Sequence, residues 1–190
     1  KNLKFKDVNF FYGKNEKNIL TDINLEINRG EIIGIYGESG SGKSTFVNLI
    51  SGLLKPQIGT IKINNENLEN NKPNWLASLG YVPQQVTLFN DTIETNISFF
   101  ENQDQNETFN KKITKALEQA NLKNLIDSLP DKLNTIVGEN AAKLSGGQVQ
   151  RIGIARAIFN DPEFIIFDES TSSLDLENEK DIMKFVYSLK

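Results

Sequence analysis

Leu3, Phe5, Val8 and Phe10 fall near every second position, and Ile23, Leu25 and Ile27 alternate strictly with polar neighbours. A period of two is the mark of a strand with one buried face, so both stretches are predicted as half-buried strands. Ile32–Tyr36, interrupted only by Gly34, and Phe164–Phe167 are instead short continuous apolar runs. Runs of that length fit strands buried on both faces of a parallel sheet. Elsewhere the period lengthens to that of a helix: Phe46, Val47, Leu49 and Ile50; Phe109, Ile113, Ala116, Leu117 and Ala120; Ile152, Ala155, Ile158 and Phe159; and Ile182, Phe185, Val186 and Leu189. Glu101–Glu107 is uniformly polar and reads as an exposed loop, while the Asn-rich stretch Asn64–Asn74 reads as turns. Strands interleaved with helices, without internal repeat, place the chain in the α/β class.

Composition narrows the chemistry. A chain of 190 residues fits one domain of the usual ~100–200 residues, and no apolar run approaches the roughly 20 residues of a membrane span. With neither cysteine nor histidine, disulfides, Cys/His zinc sites and histidine-based triads are excluded. Catalysis must then use carboxylates, lysines, hydroxyls, backbone amides and a bound cofactor. The net charge of -4 is spread without a basic block, so no nucleic-acid partner is expected. The first residue is Lys1 and no signal segment follows it, which leads to the expectation of a piece excised from a longer polypeptide.

Three segments carry candidate chemistry. Gly37-Glu38-Ser39-Gly40-Ser41-Gly42-Lys43-Ser44 fits GxxxxGK[ST], between an apolar run and a helical pattern. Glycines there let successive N–H groups curl round a phosphate, Lys43 brings a point charge to the β and γ phosphates, and the Ser44 hydroxyl can ligate Mg²⁺. The bland alternative is a flexible Gly/Ser loop. Asp168 and Glu169 sit at the end of the Phe164–Phe167 run, where Asp168 can help hold Mg²⁺ and Glu169 can deprotonate an attacking water; otherwise they are two solvated carboxylates. Leu144-Ser145-Gly146-Gly147-Gln148 opens a helix, and Ser145 with Gln148 fits a capping box. Taken alone it is either a well-made cap or a second anion-ready helix N-terminus.

In combination these motifs resemble the nucleotide-binding domain of ATP-binding cassette (ABC) transporters from one end of the chain to the other. GESGSGKS stands as Walker A, YVPQ ending at Gln84 as the Q-loop, LSGGQ as the signature, FIIFDE as Walker B and SSLD ending at Asp175 as the D-loop. The resemblance implies Lys43, Gln84 and Glu169 as catalytic groups and Ser44, Gln84 and Asp168 as Mg²⁺ ligands. It implies that ATP is held by Tyr12, stacked on adenine, and by Gly37, Ser39, Gly40, Ser41, Gly42, Lys43, Ser44 and Thr45. The alternative for Tyr12 is a strand aromatic beside Phe10 and Phe11, and for Gln84 an ordinary loop residue, which the family pattern outweighs. Two such domains pair head to tail in the family, which would bring Ser145, Gly146 and Gly147 of one copy to the γ phosphate held by the other, with Asp175 at that interface.

Thr135-Ile136-Val137-Gly138-Glu139-Asn140 is similar to the exporter element that touches the membrane domain, and 88–97 also resembles the exporter pattern; Ala141 stands where many exporters have Gly. The family's switch histidine, and the core strand before it, are missing from these residues. The expectation is thus a P-loop NTPase with a RecA-like parallel core sheet, an N-terminal antiparallel β flank and a helical subdomain. It would form one ABC ATPase domain over 1–190, with core 1–84 and 157–190 and helical subdomain 85–156. That domain would power export through a transmembrane domain at the cytoplasmic face of the cell membrane. A soluble ABC ATPase acting on DNA or ribosomes, and a P-loop kinase of small molecules, are the rival readings; TIVGEN disfavours the first and LSGGQ the second.

Overall fold

The alternating N-terminal residues form β1 (Leu3–Phe10) and β2 (Leu20–Ile27), the first elements of a computed structural model that describes residues 2–13, 18–99, 107–138, 144–168, 184, 186 and 187. Two compact units divide the chain, Lys1–Leu79 and Gly80–Leu189.

In the first unit β1 pairs antiparallel with β2 on one side and with β3 (Ile58–Ile63) on the other, and β4 (Glu66–Asn67) closes the order β2-β1-β3-β4. This is the expected antiparallel flank. Leu3, Phe5, Val8 and Phe10 are buried, but Val8 is three positions after Phe5, so keeping all four on the core side needs a break in the alternation. It comes as bulges: the β1–β2 register slips between Phe5 and Val8 and again between Val8 and Phe10, near Asp7 and Asp22, both at positive φ. The amides freed there are claimed by side chains. Asn24 Oδ1 accepts from Asp7 N at 3.0 Å, and the buried Asn9 accepts from Asp22 N at 3.0 Å. Helix α1 (Lys43–Ile50) buries Thr45, Val47, Leu49 and Ile50. Trp75 of α2 (Lys72–Ala77) is buried and donates from Nε1 to the Ile50 carbonyl at 2.8 Å, which accounts for it as a packing residue.

All but the first residue of β5 (Leu79–Val82) falls in the second unit, with β6 (Asp91–Thr92), α3 (Ile93–Ser98), α4 (Glu107–Gln119), α5 (Lys123–Ser128), β7 (Ile136–Val137), α6 (Gly146–Ile158) and β8 (Phe164–Phe167). β5 pairs with β8 and β6 with β7. Phe109, Ile113, Ala116 and Leu117 form the buried stripe of α4, as their spacing predicts, so Glu107 opens a helix and is not part of the loop read from its polarity. Nearly every position from Gln150 to Ala155 of α6 except Arg151 is buried, marking an interior helix. These helices share one core with Val82, Ile93, Ile97, Leu122 and Val137.

One predicted strand does not form. Ile32–Tyr36 carries no regular structure, its residues are exposed, and Tyr36 reaches 93% exposure. An apolar run becomes an interior strand only when neighbours hydrogen-bond to it on both edges, and no strand among the described residues pairs with this one. The Phe164–Phe167 run does form β8, but only Ile166 is buried and the others are half-buried. Of the C-terminal helical pattern, Lys184, Val186 and Tyr187 are described and helical; Ile182, Phe185 and Leu189 lie outside the described residues, as does 101–106.

Candidate functional site

The glycine-rich loop turns into α1 through Gly42, whose φ of 94° belongs to the region that glycine enters without strain. No side chain caps α1, which leaves its first-turn amides facing the loop. Lys43 folds back over that loop and donates from Nζ to the carbonyls of Gly37 at 2.8 Å and Glu38 at 2.9 Å. Gly37 also packs close to Ser41, since a Cβ there would sit 2.5 Å from Ser41 Oγ. The result is a cradle of backbone amides at a helix N-terminus with one ammonium beside it, a donor set that fits a polyphosphate. Ser39, Gly40, Ser41 and Ser44 are exposed along it, and Thr45 is buried. Tyr12 lies in the same unit. Its ring meets Phe10 edge-on with centroids 4.9 Å apart, its hydroxyl is 3.2 Å from Thr45 Oγ1, and it remains 59% exposed. A flat aromatic face is therefore held beside the P-loop helix.

In the second unit Asp168 follows β8 directly. Its amide donates to the Val82 carbonyl at 2.9 Å and its Oδ2 accepts the Tyr81 hydroxyl at 2.7 Å. Partial burial and the adjoining carboxylate push the Tyr81 phenol up to about 12. Gln84 is exposed at a bend just past β5. The Ser44 hydroxyl in the first unit, and the Gln84 amide oxygen and Asp168 carboxylate in the second, are each hard oxygen donors of the kind Mg²⁺ takes. Among the described residues no cluster of three carboxylates forms a self-sufficient cation cage. Glu169 and Asp175 lie outside the described residues.

LSGGQ is a complete capping box: Gln148 N donates to Ser145 Oγ at 3.3 Å and Ser145 N donates to Gln148 Oε1 at 2.8 Å. Gly146 is exposed, and a Cβ built on it meets nothing within 4 Å. The capping box is thus formed, and it leaves the Gly146 backbone facing open space.

Two features escaped the reading of the sequence. One is the Tyr81–Asp168 bond; its only signal is that Tyr81 opens the YVPQ segment. The other is a polar node at Asn96 of α3, which is fully buried. Its Oδ1 accepts from Phe89 N at 2.8 Å and from Arg156 at 3.1 Å, and its Nδ2 donates to Phe89 O and Thr92 O, both at 3.0 Å. Arg156 also donates from Nε to Asn96 O at 2.7 Å and from Nη1 to Thr87 O at 3.1 Å, and its guanidinium faces the rings of Phe89 and Phe99. Burial pulls its pKa down from the usual arginine value.

A family model described as ABC transporter matches residues 20–172. The chain is 39% identical over 188 residues to an ATP-dependent lipid A-core flippase of Ralstonia nicotianae, covering 98% of this chain and 32% of that protein. It is 43% identical over 190 residues to the alpha-hemolysin translocation ATP-binding protein HlyB of Escherichia coli, covering 99% of this chain and 26% of the relative. A solved bacterial Atm1-family ABC exporter with ATP bound superposes with a TM-score of 0.84 at 34% identity, over 99% of this chain and 32% of the other. The chain spans about a third or less of the length of these relatives. Among the described residues no helix is long and apolar enough to cross a membrane.

Proposed function

Because the chain belongs to the ABC transporter family, with the α/β P-loop ATPase fold, we propose that it is the ATP-binding and ATP-hydrolysing domain of an exporter. It works at the cytoplasmic face of the membrane, coupled to a transmembrane domain on the same polypeptide or on a partner. The observation that carries this reading is the loop closed over Lys43 in front of an uncapped α1, beside the exposed ring of Tyr12.

Each residue then has a task. Tyr12 offers its face to adenine, and the amides of 37–45 with Ser39, Ser41 and Thr45 hold the phosphate chain. Lys43 exchanges the carbonyls of Gly37 and Glu38 for phosphate oxygens, replacing neutral acceptors with charged ones. Ser44, Asp168 and Gln84 would hold Mg²⁺. When bound, the ion neutralises charge on the β and γ oxygens. Glu169 takes the proton of the water that attacks the γ phosphorus, and ADP leaves as the bond to its β oxygen breaks. Ser145, Gly146 and Gly147 serve the γ phosphate of a second copy paired head to tail, with Asp175 at the joint. The finished cap of α6 supports this task, because its amides are already set before a ligand arrives. The domain division proposed is one ATPase domain with its helical subdomain at 85–156.

Calorimetric titration of Mg-ATP into the chain tests the reading at its centre. Binding in the micromolar range that Lys43→Ala abolishes supports it; unchanged affinity in that variant overturns it.

A further inference from the structure

We propose that Tyr81 is a positioning residue for the Asp168 carboxylate, aiming it toward the metal that accompanies the nucleotide. The inference deepens the proposed function and rests on its assignment of Asp168 to the Mg²⁺ side.

A carboxylate on the residue that ends a strand can rotate about two side-chain bonds, and only some orientations present an oxygen where a hydrated cation can use it. The phenol removes that freedom. Tyr81 stands one residue before Val82, whose carbonyl accepts the Asp168 amide at 2.9 Å, so the backbone link between β5 and β8 lies next to the side-chain link. The 2.7 Å bond from the hydroxyl to Oδ2 fixes the plane of the carboxylate against a pair of strands. Oδ1 is left unclaimed by Tyr81. Tyr81 itself is partly exposed, with its hydroxyl spent on Asp168, so packing alone does not explain a phenol here in place of a phenylalanine. Outer groups that orient a metal-side carboxylate commonly change metal affinity by about 10- to 100-fold when removed.

The test separates the metal-dependent part of nucleotide binding from the rest. A fluorescent ATP analogue is titrated into the 190-residue chain with excess Mg²⁺ and again with EDTA, for the parent, Tyr81→Phe, Tyr81→Leu and Asp168→Asn. Expected is a loss of about 10-fold in affinity for Tyr81→Phe with Mg²⁺, and a change of less than about twofold in EDTA. Tyr81→Leu should lose the same factor despite lacking the ring, and Asp168→Asn should erase the gain from Mg²⁺. A merely structural tyrosine would move both titrations together. If Asp168→Asn erases the gain while both Tyr81 variants keep it, the positioning role is overturned and the metal assignment stands. If Asp168→Asn leaves the gain intact, the metal assignment falls and takes the positioning role with it.

Discussion

The Tyr12 hydroxyl lies 3.2 Å from Thr45 Oγ1, which ties an exposed aromatic ring to the first turn of the P-loop helix. Ring and hydroxyl therefore have separable uses. Tyr12→Phe keeps the stacking face and should change ATP affinity by no more than about threefold, whereas Tyr12→Ala should cost about 1–3 kcal/mol, the usual worth of a base on an aromatic face. Inorganic triphosphate, which has no base, should bind parent and Tyr12→Ala alike in the same titration.

At Gly146 a side chain can be added without steric consequence, since a Cβ meets nothing within 4 Å, and an acidic residue in the first turn of a helix is favourable. Gly146→Asp should melt at or slightly above the parent temperature and bind nucleotide normally. In a protein with Glu169→Gln to halt turnover, it should abolish ATP-dependent pairing on a sizing column, because the carboxylate faces the γ phosphate of the other copy. Pairing that survives would leave LSGGQ as a helix cap alone.

Gly59 has φ +84°, and a Cβ there would lie 2.3 Å from the Asp7 carbonyl oxygen. Gly59→Ala should destabilise the antiparallel sheet by about 2–4 kcal/mol, read as a lower denaturation midpoint. The backbone cannot yield easily, because the opposing Asp7 is itself in a bulge at positive φ.

Asn96→Ala should also cost about 2–4 kcal/mol, although it removes only one short polar side chain. Phe89 N would lose its acceptor, Phe89 O and Thr92 O would lose their donor, and the Arg156 cation would lose one of its oxygens inside the protein. Asn96→Asp keeps the acceptor for Phe89 N and Arg156 but sets a carboxylate oxygen against the Phe89 and Thr92 carbonyls, so it should remain clearly less stable than the parent.

The Tyr81 phenol titrates near 12 in the folded chain and near 10 when unfolded, so the folded state holds this proton more tightly. Its contribution to stability is complete below pH ~10 and is lost as pH rises toward ~12. Phenolate absorbance followed through an alkaline titration should show one tyrosine ionising late, and in Asp168→Asn that tyrosine should move toward the others.

The parts of the fold that could be read in the sequence are those a single segment decides. Period two gave β1 and β2, and the stripe from Phe109 to Leu117 gave α4; Ser145 and Gln148 declare their cap within four residues. What escaped depends on distant partners. Tyr81 meets Asp168 across 87 positions and Asn96 meets Arg156 across 60, and no local pattern encodes either bond. Ile32–Tyr36 failed for a related reason: its apolar character expresses a demand for neighbouring strands that its own residues cannot meet.

That same tract has a practical consequence for the isolated chain. Ile32, Ile33, Ile35 and Tyr36 turn apolar side chains to water along an uncharged tract that no strand among the described residues pairs, which is a template for another extended segment. Copies of the chain at high concentration should stick to one another there, with or without nucleotide. Light scattering should rise with concentration in the absence of ATP, and Ile33→Lys should suppress it, so sizing experiments on nucleotide-driven pairing are cleanest in that background.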